Sequence, residues 1–178
     1  MDKHYDLKLE KHELEEETEE KIKRKKIAAF VFSIFLALLM LSFIVPHDVL
    51  ISLIESETIN NNTIEKDDVK YYFKPDVLEA LQKYYVEHQT AEFKLCLEGF
   101  VKDGSYYVTS FYEPKIYFNN PITVHSAICN ESTIIDLHSH PLRNCIFSEQ
   151  DIMTYRMMNR EMAGAVMCDI DRFNFYSG

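Results

Sequence analysis

The stretch STIIDLHSHPLRNCIFSEQD, residues 132–151, carries the pattern from which the fold and the function of this chain are predicted. It begins with apolar residues typical of a strand and ends with SEQD, which is typical of a helix start. Between these ends lie His138 and His140, and the helix start contains Ser148 and Asp151. One interpretation is a strand end, a turn and a capped helix, with Ser148 as the N-cap and Asp151 at N3.

The spacing of the histidines also suits a metal ion. Residues two apart on a strand point to the same face, so His138 and His140 can direct both imidazoles at one point. Asp151, in the first turn of the next helix, can add an oxygen ligand. Two histidines, one aspartate and an open fourth position are typical of a catalytic zinc site, which also needs a base to take a proton from water. Three glutamates are candidates for this base, and the residues alone do not choose among them: Glu92, Glu98 and Glu113.

Apolar periodicity on both sides of this stretch predicts a folded domain over residues 74–178. Its predicted elements are, in order, a helix over 74–89, a hairpin over 92–114, an irregular segment with one short strand over 115–125, a strand over 132–140, a helix over 148–162 and two closing strands over 163–177. This order indicates an α/β or α+β domain with a mixed sheet flanked by helices.

An uncharged apolar run, IAAFVFSIFLALLMLSFIVP, occupies residues 27–46. At about 1.5 Å per residue such a run spans roughly 30 Å, the thickness of the hydrocarbon core of a bilayer. A buried core helix is the alternative, but a chain of 178 residues has no core large enough to surround it. A signal peptide is disfavoured because the run is long and no small-residue cleavage site follows it. We therefore predict a transmembrane helix over 27–46.

The basic residues around this run predict its direction. KIKRKK, residues 21–26, precedes it directly, whereas the first Lys or Arg beyond it is Lys66. The positive-inside rule then leaves the charged segment 1–26 in the cytoplasm and residues 47–178 outside. The charged segment is expected to be a solvated helix with acid–base pairs or a docking site for a partner. Residues 47–73 are expected to be a polar tether.

The composition limits the classes of function. The net charge of −10 argues against a nucleic-acid partner, and no glycine-rich phosphate loop is present. All cysteines follow the apolar run, and their even number permits two disulfides on the exported side. No C-x-x-C is present, which disfavours a zinc ribbon. The four cysteines are Cys96, Cys129, Cys145 and Cys168.

The pattern H-x-H-x7-S-x2-D, at His138, His140, Ser148 and Asp151, resembles the signature of the JAMM (MPN-plus) zinc metalloprotease family. The resemblance covers about residues 74–178 and includes the order of the elements. It implies a cytidine-deaminase-like JAMM/MPN fold. The chain has little room for the insertions of members specialised for ubiquitin chains, so a compact, prokaryotic-type member is the better comparison.

The resemblance also chooses among the glutamates. Family members place the catalytic glutamate at the start of the strand after the first helix, seven residues before a glycine. Glu92 and Gly99 have this spacing, and Glu98 does not. The chain departs from the family at Leu95, since many members have a small residue three positions after the glutamate.

This resemblance implies a role for each motif residue. His138, His140 and Asp151 would bind one zinc ion. Glu92 would activate water and pass its proton to the leaving amine, and Ser148 would donate a hydrogen bond to the oxyanion. The implied activity is hydrolysis of peptide or isopeptide bonds, including those that join ubiquitin-like proteins to lysines. A domain outside the membrane instead indicates an exported protein or a cell-envelope peptide as substrate. The alternatives are a non-catalytic scaffold of the same fold and a membrane-anchored module with structural zinc.

The resemblance bears on the cysteines as well. Cys145 lies between the metal ligands, and Cys168 lies on the strand after the helix, which is expected to neighbour the site. A Cys145–Cys168 bridge would pin the loop and contribute about 3 kcal/mol by restricting the unfolded chain. Two free thiols are the alternative.

Overall fold

The structure is a computed structural model that describes residues 3–44, 47–157 and 162–176, with side chains described for these residues except 3–20 and 43–49. The chain forms two compact units, residues 1–46 and residues 47–178.

The first unit contains one long helix, α1 (Lys3–Ile44). The predicted helix in the charged segment is therefore confirmed, and it continues without a break into the apolar run. By length and composition, the part from Lys21 to Ser42 is long and apolar enough to cross a membrane, and its side chains are exposed. The end of the predicted span at residues 45–46 lies outside the described residues.

The second unit contains three helices and ten strands among its described residues. In chain order these are α2 (His47–Glu55), β1 (Glu57–Thr58), β2 (Thr63–Lys66), β3 (Val69–Phe73), α3 (Pro75–Glu87), β4 (Lys94–Lys102), β5 (Ser105–Tyr112), β6 (Ile116–Asn120), β7 (Thr123–Ser126), β8 (Thr133–Ser139), α4 (Glu149–Met157), β9 (Ala163–Asp169) and β10 (Arg172–Tyr176). Eight strands form one sheet in the order β1-β10-β9-β8-β4-β5-β3-β2, and β6 pairs with β7 separately. The sheet is mixed: β8 pairs parallel with β9 and β3 pairs parallel with β5, whereas the other neighbours are antiparallel.

The prediction of a polar tether over residues 47–73 is wrong. This segment forms α2 and three strands, of which β1 pairs with β10 and β3 pairs with β5. Its polar residues belong to turns, where Asn61, Asn62, Asp67 and Asp68 adopt positive φ. The segment resembles a linker because its middle part, residues 56–68, is rich in polar residues and poor in large apolar ones. The folded unit therefore begins at residue 47 and not at residue 74.

The edge strands curl towards each other around the core. The amide and carbonyl groups of Asn60 and Thr63 exchange two hydrogen bonds of 2.9 Å at the connection between β1 and β2. The rings of Tyr71 on β3 and Phe175 on β10 stack with centroids 3.7 Å apart. The buried face of α3 packs into the same core, which includes Phe93, just before β4, and the inward side chains of the central strands: Leu95, Leu97, Ile135, Leu137, Ala165 and Met167.

Most elements of the predicted domain are confirmed, as α3, the β4–β5 hairpin, β8, β9 and β10 occupy the predicted segments. The hairpin turns at Asp103-Gly104, where both residues have positive φ. The prediction for 115–125 is wrong, since the segment forms the hairpin of β6 and β7. The predicted helix over 148–162 is present as α4 to Met157, and residues 158–161 lie outside the described residues. The mixed sheet with helices on its faces agrees with the expected α/β class.

Alternation along the central strands separates the two faces of the sheet. Ile135 and Leu137 of β8 point into the core with α3, so Asp136 and His138 point to the other face. Helix α4 lies on that other face. A Cβ atom at Gly164 of β9 would come within 2.5 Å of its Tyr155 ring. The end of β8, the following loop and α4 therefore enclose the candidate site.

Both pairs of cysteines form disulfides. The predicted Cys145–Cys168 bridge is confirmed, and it joins the loop after β8 to β9. A second bridge, Cys96–Cys129, joins β4 to the segment before β8. Each bridge therefore ties a loop to a central strand, and the first of them fixes the loop between the predicted metal ligands.

Candidate metal centre

His138, His140 and Asp151 come together at the end of β8. Their ligand atoms all lie within 4.8 Å of one another. The two Nε2 atoms are 3.1 Å apart, and Asp151 Oδ2 is 3.5 Å from His138 Nε2. Ligands at about 2.0–2.1 Å from a tetrahedral ion lie about 3.3 Å from each other. The spacing of the three groups therefore fits one small cation, and the group could bind a metal ion.

The tautomer of His140 is set by its second ring nitrogen. Nδ1 of His140 lies 2.5 Å from the carbonyl oxygen of Asn144. A carbonyl oxygen only accepts hydrogen bonds, so Nδ1 carries the hydrogen and donates it. Nε2 then carries a free lone pair that points at the other ligands, as a metal-binding imidazole requires.

The tautomer of His138 depends on Tyr155. The Tyr155 hydroxyl donates to the carbonyl oxygen of Asp136 at 3.3 Å and lies 3.1 Å from His138 Nδ1. Burial raises the pKa of Tyr155, so its hydroxyl stays protonated. Since its one hydrogen goes to the carbonyl, the hydroxyl oxygen accepts from Nδ1 of His138. With Nδ1 as the donor, Nε2 of His138 is the nitrogen left to bind a metal, and it lies 3.1 Å from Nε2 of His140.

Asp151 is held by the helix cap that the sequence predicted. Its Oδ2 accepts hydrogen bonds from the Ser148 amide at 2.8 Å and the Ser148 hydroxyl at 2.6 Å, while its own amide donates to Ser148 Oγ at 3.1 Å. Ser148 is the N-cap of α4 and Asp151 is N3, so the pair forms a capping box. Helix cap and metal ligand are therefore compatible roles, because one helix start provides both.

The electrostatics of the site keep His140 and Asp151 in the form that binds a metal. Burial, together with the charge of His138, lowers the pKa of His140 to about 4, so its imidazole is neutral at pH 7. Burial alone would raise the pKa of Asp151, but the hydrogen bond and charge of His138 and the bonds from Ser148 outweigh it, and the pKa falls well below the usual range. The carboxyl group is therefore ionised.

Of the three candidate bases, Glu92 is the one that lies beside the metal ligands, and Glu98 and Glu113 lie elsewhere. Its Oε1 is 3.7 Å from His140 Nε2, and the side chain is buried. Burial raises the pKa of Glu92 to about 7, an effect that nearby Asp151 reinforces and His138 opposes. Glu98 accepts hydrogen bonds from Ser110 and Ser132 on an exposed surface, and Glu113 accepts one from Tyr84.

Two further contacts hold the glutamate beside the histidines. Ser139, between them in sequence, accepts a hydrogen bond from the Phe93 amide at 3.0 Å, and its own amide donates to the Phe93 carbonyl at 3.0 Å. On the other side, the Glu92 amide donates to the carbonyl of Asn120 at 2.8 Å, and Asn119 Nδ2 donates to the Glu92 carbonyl at 3.1 Å. The β6–β7 hairpin therefore fixes the backbone at Glu92.

These groups open into a cavity of about 310 Å³. Its rim is apolar on one side, where two side chains are exposed: Ile122 of the β6–β7 turn, and Leu142 of the loop over residues 140–148, here called the metal loop. Its floor contains an ion pair in which Lys94 Nζ lies 2.8 Å from Asp136 Oδ2, with both side chains largely buried. A cavity of this size with a few convergent polar groups is typical of a site for a small molecule or a peptide segment.

Sequence reasoning missed several residues that shape this site. The alternation of the strands does carry a signal for Lys94 and Asp136. Lys94 lies two positions after Glu92, and Asp136 lies two positions before His138, so each shares a face with a site residue. Tyr155 has a weaker signal: it follows Asp151 by four positions and shares its helix face. Asn144 and the β6–β7 hairpin have none, because a carbonyl acceptor and a hairpin that packs on a distant loop depend on the tertiary fold.

No protein-family model matches the chain, and no curated protein matches it. The similarity to the JAMM family therefore remains one of motif residues and their spacing.

Proposed function

We propose that this protein is a membrane-anchored zinc metallopeptidase of the JAMM type that hydrolyses peptide or isopeptide bonds. One observation supports it above the others: a buried carboxylate, Glu92, lies beside a group of two histidines and an aspartate at the spacing of metal ligands, in an open cavity. Two nitrogen ligands, one oxygen ligand and an accessible fourth position suit a catalytic zinc ion better than a structural one. The neutral imidazole of His140 and the ionised carboxylate of Asp151 suit the same ion.

When bound, zinc supplies a Lewis acid that polarises the scissile carbonyl and increases the acidity of water. The protein supplies the remaining groups. Glu92 accepts a proton at a carboxylate oxygen and later donates it to the leaving nitrogen, because it is within reach of the same point as the ligands and has a pKa near neutrality. His140 stays neutral and is held by Asn144, and the hydroxyl of Tyr155 orients the ring of His138.

Ser148 is proposed to stabilise the oxyanion of the tetrahedral intermediate. Its hydroxyl now donates to Asp151 Oδ2. A rotation about the Cβ–Oγ bond would redirect that hydrogen into the cavity, while Oγ still accepts from the Asp151 amide and the Ser148 amide keeps its own bond to the same carboxylate. Ser148 therefore has two proposed roles, one in holding the ligand and one in catalysis.

The substrate is proposed to lie on the side of the membrane opposite the cytoplasm. The cluster of lysines and arginine at residues 21–26 favours a cytoplasmic N-terminus, and two disulfides in the second unit fit an oxidising compartment. An exported protein, a cell-envelope peptide or a conjugate of a ubiquitin-like protein in that compartment are the proposed substrates.

The metal is tested first, by elemental analysis of the purified full-length protein after exhaustive dialysis. We expect about one zinc per chain in the parent and in Glu92→Gln, and loss of zinc in His138→Ala. His125→Ala is the matched control, since His125 is an exposed histidine of β7 and lines no part of the cavity. A folded parent protein that cannot be loaded with zinc would refute the metal site, and residues 138–151 would then be only a strand end, a turn and a capped helix.

Hydrolysis is tested next, with a peptide library and with isopeptide-linked model substrates. The parent and Glu113→Gln should cleave the same substrates, whereas Glu92→Gln should retain zinc and lose cleavage by at least about 100-fold, the usual contribution of a general base. A Glu92→Gln variant as active as the parent would refute the assigned base. A parent that binds zinc and cleaves nothing in either class would favour a scaffold or a structural zinc module.

A further inference from the structure

Helix α2 exposes an apolar stripe and buries a polar side chain. Leu50, Leu53 and Ile54 are 46%, 52% and 79% exposed, and Ile54 is the most exposed large apolar side chain among the described residues. Positions i, i+3 and i+4 share one face of a helix, so these side chains form a continuous apolar stripe. Ser52, on the opposite face, is only 3% exposed.

The inward face of α2 is fixed to the folded unit by polar contacts. The Ser52 hydroxyl accepts a hydrogen bond of 2.6 Å from the amide of Cys145, in the loop between the metal ligands. Ser56, one residue beyond the helix, accepts a bond of 3.0 Å from Arg172. Lys66 Nζ donates to the Glu55 carbonyl at 2.7 Å, which satisfies an orphan carbonyl at the helix end. The apolar stripe is therefore held outward by a rigid attachment.

The position of α2 in the chain indicates what covers the stripe. The last described residue of the candidate span, Ile44, precedes His47 by three positions. Three residues reach at most about 10 Å, so the start of α2 stays within that distance of the end of the span. A helix with an apolar stripe that follows a membrane span directly is suited to lie in the headgroup region of the bilayer.

We propose that α2 lies on the outer surface of the bilayer, with Leu50, Leu53 and Ile54 buried among the lipid headgroups and acyl chains. The proposal rests on the proposed membrane span. It assigns the stripe to lipid, because a water-exposed stripe of this kind would cost free energy that a bilayer within covalent reach recovers. The amide of Cys145 bonds to the opposite face of α2, so the metal loop lies about one helix diameter, roughly 10 Å, from that stripe. Helix α2 would thereby hold the candidate site near the membrane surface.

The absence of tryptophan from the sequence permits a direct test. Single tryptophans are introduced in the full-length protein by Leu53→Trp in the stripe, Phe35→Trp in the span and Val86→Trp on α3. Val86 is the matched control, because it is an exposed apolar residue of a helix, at 56% exposure. Each variant is reconstituted into phosphatidylcholine–phosphatidylglycerol vesicles whose acyl chains are brominated either near the headgroup or near the chain end. The introduced tryptophan is excited selectively over the tyrosines, and its emission is recorded.

We expect Leu53→Trp to emit at shorter wavelength than Val86→Trp and to be quenched mainly by bromine near the headgroup. Phe35→Trp should be quenched mainly by bromine near the chain end. Emission from Leu53→Trp that matches Val86→Trp, with Phe35→Trp quenched, would overturn the inference and leave the span intact.

Two other outcomes also count against the proposal. A blue shift of Leu53→Trp without quenching, which grows with the number of proteins per vesicle, would mean that a second copy covers the stripe. An unquenched Phe35→Trp would remove the span and the inference with it. Neither outcome would affect the proposed hydrolysis, which the zinc and cleavage measurements test separately.

Discussion

The hydroxyl of Tyr155 offers a sharp test of how the metal site is organised. Tyr155→Phe removes one oxygen and keeps the ring, which packs against Gly164. The lost hydroxyl accepts from His138 Nδ1 at 3.1 Å and donates to the Asp136 carbonyl at 3.3 Å. Without it, the ring of His138 can adopt either tautomer, and only one tautomer leaves Nε2 free for a metal.

The expected loss follows from the role of such outer partners. Removing the group that orients a metal-binding histidine costs about 10–100-fold in metal affinity, or about 1.4–2.7 kcal/mol. The metal-free protein should lose about 1–3 kcal/mol of stability at most, because the Asp136 carbonyl and His138 Nδ1 lose a partner. The two effects are measured separately, by zinc competition with a chromophoric chelator and by urea unfolding of the metal-free forms.

Tyr176→Phe is the control for this change. The ring of Tyr176 stacks with that of Tyr155 at 5.9 Å between centroids, but its hydroxyl contacts Arg156 and not a histidine. We expect its zinc affinity to equal that of the parent. The tautomer argument would be refuted if Tyr155→Phe bound zinc as tightly as Tyr176→Phe while both remained folded.

Three other changes have expected outcomes of the same kind. Replacing Cys145 and Cys168 together by alanine should lower the free energy of unfolding in urea by about 3 kcal/mol and weaken zinc binding, because the bridge closes the segment that carries Asp151. Replacing Cys96 and Cys129 should cost about as much stability without weakening zinc binding. An equal loss of zinc affinity in both variants would contradict this account. Gly164→Ala should weaken zinc binding in the chelator assay and destabilise the fold by about 1–3 kcal/mol, since its Cβ would lie 2.5 Å from the Tyr155 ring; unchanged affinity would show that the ring moves freely. Ser52→Ala should lower the free energy of unfolding by about 1–3 kcal/mol, because the buried amide of Cys145 loses its acceptor. Ser42→Ala on α1 should change this free energy little, because the Ser42 hydroxyl bonds to an exposed carbonyl of its own helix. Equal effects of the two changes would argue against the contact between Ser52 and Cys145.

The central elements of the fold were predictable because their signals are local. The apolar alternation of β4 and β8, the period of α3 and the turn at Asp103-Gly104 depend on neighbours a few residues away. The two ends of the sheet were not predictable in the same way. β1 pairs with the distant β10, β3 pairs with the distant β5, and β6 and β7 form a hairpin outside the main sheet. Their pairing is decided by distant partners and not by their own composition.

The same division holds at the candidate site. His138, His140 and Asp151 were found because period-two geometry and a helix cap fix their directions within one short stretch. Glu92 lies in the same cavity but is 46 residues before His138 in sequence, and the residues alone left it level with Glu98 and Glu113. Pairing of β4 with β8 brings it to the histidines, and burial in the assembled site raises its pKa.

By itself, the sequence determined the three ligand candidates, the apolar span and the class of the domain, since each depends on the spacing of residues along the chain. The tertiary structure alone decided which hydroxyl lies beside His138 and how the chain beyond the span folds, and it brought into the cavity Glu92, the glutamate that the family resemblance selects. Each of these depends on a contact between segments far apart in sequence. Helix α2 is the clearest case: its residues are expected from the sequence to belong to a polar tether, and the packing of Ser52 against Cys145 leaves Leu50, Leu53 and Ile54 exposed.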